Sequence, residues 1–213
     1  MTLTITIIII AITCIVSFTA FSNGKIIDDL IFYPPAVTEQ KQWYRFVTCG
    51  LIHADVPHLA FNMISLYMFG RYVEEDFITV FGNKGKLIYL VLYISALVVC
   101  LLPTYSKNKF NSNYRSLGAS GAVSAVVFAG IFLHPTLKIG MFIIPPIIPG
   151  FIFAPIYLFI SAYLDKKGGD NINHSAHIWG AIYGVGFLIV ACYFLSNFRA
   201  VENFIEEISH WHL

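Results

Sequence analysis

The chain has 213 residues, of which 57% are hydrophobic and 12% charged, with a mean hydropathy of +0.72 and a formal net charge of +1. Soluble domains carry about 25% charged residues, so there is too little polar surface here to cover a water-soluble sphere. The near-neutral charge, with lysines scattered, excludes a basic nucleic-acid surface. The composition is that of a polytopic, all-α membrane protein. No polar or Ser/Pro-rich linker divides it, so a single membrane domain over residues 1–213 is expected. Cys14, Cys49, Cys100 and Cys192 are widely spaced, with no C-x-x-C pair and no zinc spacing.

Apolar runs of about 20 residues are the spanning signal. The first, Thr2 to Phe21, holds no charge. A signal peptide is the rival reading, but no Lys or Arg precedes the run and it is long for an h-region, so a retained span is expected. Ser22 to Pro57 is a long connection that includes Trp43-Tyr44-Arg45-Phe46. Such loops without an evident helix are usually functional or disordered. This one is too aromatic for disorder and is expected to fold back on the bundle, partly embedded at the headgroup level, with Arg45 tying it down.

The second span runs from His58 to Val73 and closes on Arg71, Glu74, Glu75 and Asp76, with Arg71 and Glu74 as a helix-end anchor. The third covers Leu87 to Leu102, before Pro103. A polar loop follows, and the fourth span covers Gly118 to Leu133. Between Met141 and Gly150 stand Pro145, Pro146 and Pro149, which remove donors and clash with helical carbonyls, so an irregular connection is expected there. The fifth span, Phe151 to Leu164, is short and contains Pro155, which implies tilt, thinning or mobility. The sixth runs from His174 to Leu195, and the tail, 196–213, reads as a short surface helix.

Consecutive spans alternate direction, so the second, fourth and sixth begin on one membrane face. Their first turns carry His58 and Asn62, then Ser120, then His177. His58 and Asn62, four residues apart, point from one helical face. The fourth span sets Gly121, Ala125 and Ala129 on one ridge, and the sixth sets Ala176, Gly180 and Gly184 on another. Small residues at this spacing let membrane helices approach closely, and facing ridges would bring Ser120 within reach of His177.

Each signal has a plainer reading. A serine in a membrane helix most often bonds back to its own helix or to a neighbour, and Gly180 with Gly184 is usually ordinary packing. His58 with Asn62 could be a satisfied polar pair. His177 is stronger, because ionisable residues inside spans default to function. A metal centre on His53, His58, His174 and His177 competes, but no H-E-x-x-H occurs and no carboxylate sits in these segments. A soluble-type G-x-S-x-G elbow does not fit either, since Gly121 follows Ser120 directly. His134, His210 and His212 suggest no partners and are expected to be interfacial.

These residues resemble the rhomboid family of intramembrane serine proteases. The motifs are Trp43-Tyr44-Arg45 with Thr48, His53 followed by His58-xxx-Asn62, Gly118-Ala119-Ser120-Gly121, and Ala176-His177-xx-Gly180-xxx-Gly184, in the family's order. The resemblance implies a six-helix rhomboid-like bundle in which Ser120 is the nucleophile and His177 its base. It places His58 and Asn62 at an oxyanion hole completed by the Ser120 backbone and Gly118, and makes the fifth span a movable gate. One position departs: the residue one turn after the nucleophile is often an aromatic that packs on the base, and here it is Ser124.

The implied activity is cleavage of single-span membrane proteins in the lipid bilayer by a Ser-His dyad, with no cofactor, metal or nucleic acid. A catalytically inactive client-binding relative is the alternative, although such proteins usually lose the serine or the histidine. A small channel or transporter is another, but the polar residues do not continue to the opposite face. Of the 13 Lys and Arg, five (Arg71, Lys84, Lys86, Lys138, Arg199) lie on the side of the termini, which leaves eight on the other. The positive-inside bias thus leans towards termini outside, whereas the family implies cytoplasmic termini, the cell membrane, and an active site near the outer face. The family's orientation is the one expected here, three of the eight lying in the first loop.

Overall fold

The structure, a computed structural model, describes residues 4–141, 144–169 and 172–211. Helix α1 (Ile5–Phe21) is followed by α2 (Gly24–Leu30), α3 (Pro34–Gln40) and α4 (Arg45–Thr48). Then come α5 (Val56–Phe81), α6 (Gly85–Val99), α7 (Leu102–Asn108) and α8 (Ser120–Leu133). Strands β1 (Lys138–Met141) and β2 (Ile144–Pro149) precede α9 (Gly150–Lys167), α10 (His174–Leu195) and α11 (Ala200–Ser209).

Side chains cap the helices whose ends matter most. The Thr4 hydroxyl accepts from Ile7 N–H, Asp55 from His58 N–H, and the Asn173 amide oxygen from Ala176 N–H. Each fills one of the N–H groups that a helix start leaves unpaired. Helix α8 is the central element: every residue from Gly121 to Val126 is buried. Around it pack Leu66 of α5, Leu92 and Ala96 of α6 and Leu188 of α10, all fully buried. Outward faces keep large apolar side chains exposed, among them Ile15 at 68%, Leu87 at 62%, Phe159 at 74% and Tyr193 at 79%. A surface of that kind suits lipid rather than water. The helical run Val56–Asn108 and helix His174–Leu195 are long and apolar enough to cross a membrane, and Ile5–Phe21 and Ser120–Leu133 are shorter apolar helices.

Several boundaries differ from the sequence reading. The second long helix does not close on its acidic cluster but continues to Phe81, because Glu74 is buried and satisfied. Its carboxylate accepts from Ile5 N–H, Thr6 N–H and the Thr6 hydroxyl at 2.8–2.9 Å, an anion set on the N-terminus of α1. Arg71 consequently does not pair with Glu74; it donates to the Tyr67 hydroxyl at 3.0 Å. Helix α9 has 18 residues, longer than expected, and continues through Pro155, an interior proline that forgoes the backbone bond to the Phe151 carbonyl. The proline-rich stretch is an antiparallel ribbon, Lys138 opposite Pro149 and Ile139 opposite Ile148. Both strands of a two-stranded ribbon are edges, which is where proline is tolerated.

The long first connection holds three short α-helices and a 3-10 turn, Cys49–Leu51. Two-turn helices leave too little periodicity to see in sequence, although Pro34 and Pro35 at the start of α3 are a helix-start signal. Arg45 does tie this segment together: buried, it donates to the carbonyls of Asp28 and Ile31 at 2.8 and 2.7 Å. Trp43 and Tyr105 flank Phe46, with ring centroids 6.3 and 5.6 Å from it. Helix α11 docks on the end of α8, Phe204 stacking on Phe132 at 4.5 Å and Asn203 donating to the Leu133 carbonyl.

Candidate active site

Ser120 is the first residue of α8, and the turn that delivers it is made by Gly118 at φ +108°. A side chain would be strained at that φ, and a β-carbon there would also meet the His58 ring at 2.7 Å. The Gly118 N–H donates to the Cys49 carbonyl at 2.9 Å. The Gly118 N–H is thus occupied by Cys49, while the residue itself lies at the site, against the His58 ring. It anchors the loop and makes room for His58.

His177 lies one turn into α10, whose start is fixed by Asn173. That amide oxygen accepts from Ala176 N–H at 3.1 Å and from the Thr104 hydroxyl at 3.2 Å. Helices α8 and α10 run parallel in close contact. A β-carbon on Gly180 would run into the Gly121 carbonyl, and one on Gly184 into the Ala125 carbonyl. Gly121 in turn lies against the Cys100 side chain. This backbone-to-backbone approach sets His177 Nε2 2.7 Å from Ser120 Oγ. With a neutral imidazole whose Nε2 bears the lone pair, the serine hydroxyl is the donor, which is the arrangement of a nucleophile with its base. Both residues are partly exposed, so the pair is reachable.

His58 and Asn62 form the adjoining wall. Asn62 is 2% exposed, and one of its amide hydrogens goes to the His58 carbonyl at 3.0 Å; an amide has a second. The His58 ring stands edge-on to His53 at 4.9 Å. His53, fully buried, sits 3.0 Å from the Ser17 hydroxyl through Nδ1 and accepts the Ala119 N–H through Nε2 at 3.4 Å. Burial pushes its pKa down to about 3. Ser124, in the position one turn after Ser120, lies 3.4 Å from the Tyr157 hydroxyl of α9, and Tyr157 packs on Phe128 at 5.4 Å.

Ser120, His177, His58, Asn62 and Gly118 thus gather at the N-terminal ends of α5, α8 and α10, with the rings of His53 and His174 beside those of His58 and His177 at 4.9 and 5.9 Å, whereas His134 and His210 lie elsewhere. His134 is not without a partner, as the sequence suggested; its Nε2 is 3.0 Å from Asp76, and that hydrogen bond raises its pKa. His210 bonds the Glu206 carbonyl, and His212 lies outside the described residues. Among the described residues no group of three His, Cys, Asp or Glu could hold a metal ion. A groove of 1040 Å³ lined by Tyr67, Met68, Tyr72, Ile131 and Leu137 lies towards the other ends of α5 and α8, away from the serine. Ser17 and Asn173 were not singled out from sequence. Asn173 had a usable signal, an Asn just before an apolar run; Ser17 had none, since its partner is 36 residues away.

A family model described as Rhomboid domain matches residues 40–194. RHOMBOID-like protein 12, mitochondrial, of Arabidopsis thaliana is 32% identical over 150 residues, covering 65% of this chain and 43% of that protein. Rhomboid-like protein 11, chloroplastic, of the same plant is 32% identical over 173 residues, covering 75% and 55%. This chain therefore spans about half the length of these two relatives. Rhomboid protease GlpG of Haemophilus influenzae is 26% identical over 166 residues, covering 76% and 79%. The chain belongs to the rhomboid family of integral membrane proteins, which includes intramembrane serine proteases.

Proposed function

We propose that this chain is an intramembrane serine endopeptidase that cuts single-span membrane proteins with a Ser120–His177 dyad. The observation that carries the reading is the 2.7 Å contact between His177 Nε2 and Ser120 Oγ. In this reading α1, α5, α6, α8, α9 and α10 are six spans of one membrane domain, with the connection between α1 and α5 partly embedded. Both termini are cytoplasmic, in the cell membrane, and the dyad opens towards the outer face.

The Ser120 oxygen attacks the scissile carbonyl carbon while its proton passes to His177 Nε2. The tetrahedral oxyanion is met by the Ser120 N–H, which as the first of α8 has no intrahelical acceptor, and by Asn62 and His58. One donor of this kind is worth about 3 kcal/mol of barrier. As the intermediate collapses, the C–N bond breaks and His177 returns the proton to the leaving amine. Water then attacks the acyl-enzyme, giving its proton to His177; the ester C–O bond breaks, and His177 returns the proton to the Ser120 oxygen as the acid product leaves. Partial exposure of the pair supplies that water. A transmembrane substrate must locally leave its helix before its carbonyl can be attacked, because helical backbone is internally hydrogen-bonded; helix-weakening residues near the cut therefore favour cleavage.

The test is Ser120→Ala against the parent on a panel of single-span reporters in liposomes, with labelling by a serine-directed fluorophosphonate. Loss of both cleavage and labelling is expected. Cleavage that persists in the variant would remove Ser120 from the mechanism, and a parent that folds but neither cleaves nor labels would favour client binding without hydrolysis.

A further inference from the structure

Helix α1 lies outside the stretch that matches the family, 40–194, yet one of its side chains reaches His53, which in turn bonds the residue before Ser120. Ser17 and His53 are both fully buried. The Ser17 hydroxyl donates to the Leu51 carbonyl at 2.9 Å and stands 3.0 Å from His53 Nδ1. A hydroxyl has a single proton. With that proton on Leu51, the Ser17 oxygen can only accept from Nδ1, so Nδ1 carries the imidazole hydrogen and Nε2 keeps a lone pair. That lone pair is what the Ala119 N–H needs at 3.4 Å. In the opposite tautomer two N–H groups would face each other, and the peptide between Gly118 and Ala119 would turn away. Gly118, at φ +108°, is a joint that permits such a turn, and Ala119 is the residue on which α8 and Ser120 are hung.

We propose that Ser17 is a positioning residue for the reaction: it fixes the Nδ1–H tautomer of His53, which holds the Ala119 N–H inward and aims the Ser120 N–H and hydroxyl at the reacting carbonyl. The Ala119 N–H is thereby committed to His53 and the oxyanion is left to Ser120, Asn62 and His58. Burial keeps the His53 ring neutral, its pKa pushed down to about 3, so the relay does not switch within the working pH range. The first helix acts here as the far end of the active-site scaffold, reached through a chain of two side chains.

This inference rests on the hydrolase reading, and the experiment separates the two. Ser17→Ala and Ser17→Thr are compared with the parent in the full chain, measuring kcat and KM on a single-span reporter and the unfolding temperature. The proton position on His53 is read by NMR of the ¹⁵N-histidine-labelled protein, also in a Ser120→Ala background where no turnover is needed. A shift of about 1 Å at a reacting atom costs on the order of 100-fold, and a partial loss of aim should cost about 10-fold. Ser17→Ala is expected to lower kcat by that amount with KM little changed, to lower the unfolding temperature because the buried Leu51 carbonyl and His53 N–H lose their partner, to lose the Nδ1–H signature, and to be rescued by Ser17→Thr, which keeps the hydroxyl. A folded Ser17→Ala with the parent's kcat, or an Nε2–H ring at His53 in the parent, overturns the inference. Absence of cleavage by the parent instead overturns the hydrolase reading, while the tautomer still reports on Ser17.

Discussion

Adding one methyl group at Gly180 should separate the proposed dyad. A β-carbon there would run into the Gly121 carbonyl oxygen, which is backbone and cannot swing aside as a flexible side chain could. Relief requires α8 and α10 to part by roughly 1 Å, and a displacement of that size at reacting atoms costs on the order of 100-fold. Moving Ser120 Oγ and His177 Nε2 apart by that much from 2.7 Å would take them beyond hydrogen-bond range, which ends near ~3 Å for a good bond. A 100-fold loss corresponds to about 2.7 kcal/mol in the barrier, and overpacking also costs about 1–3 kcal/mol of stability. The control is Gly186→Ala on the same helix, where an added β-carbon meets nothing within 4 Å. The assay is cleavage of a single-span reporter in liposomes, with thermal unfolding of both variants. Gly180→Ala within about twofold of the parent's kcat would refute the claim that this glycine contact sets the serine–histidine distance.

Asn62→Ala should lower kcat by about 100-fold, the worth of one oxyanion donor, with unfolding temperature nearly unchanged; an unaltered rate would remove Asn62 from that role. Glu74→Ala leaves two backbone N–H groups without their acceptor, the Thr6 hydroxyl keeping Tyr89, and should destabilise the fold by about 3 kcal/mol, measured by denaturant unfolding. The His134–Asp76 pair raises the His134 pKa, so its contribution is fully present below the unfolded value and is lost as pH rises through the folded one. With the His134 side chain 48% exposed, the effect should stay below about 1 kcal/mol. Unfolding temperature measured against pH for the parent and His134→Gln should therefore converge above that pKa, and a gap that widens with pH would contradict the pairing.

The apolar runs, the motif residues and the small-residue ridges were legible because each depends on local spacing. A lipid-facing helix needs a continuous apolar stretch, and close approach in a membrane needs small side chains four apart. Gly121, Gly180 and Gly184 could be named without coordinates for that reason. Elsewhere the reading stopped where a local rule met a distant partner. Charge at residues 74–76 suggested a helix end, but Glu74 is held inside the helix by the N-terminus of α1, 68 residues earlier in the chain. Three prolines suggested an irregular connection, yet a two-stranded ribbon offers edges on which they fit.

By itself, then, the sequence determined that the chain is an apolar helical protein whose chemistry-bearing residues open three of its long helices, because helix periodicity and apolar length are properties of neighbouring residues. Only the tertiary structure decided which polar atoms meet. It spent the Gly118 N–H on Cys49, set His53 between Ser17 and Ala119, turned Ser124 towards Tyr157 on α9, and left Ser120 facing His177 at 2.7 Å. Hydrogen-bond partners are chosen by distance and direction in three dimensions, and buried donors and acceptors must each find one, so that choice is written in no single stretch of the chain.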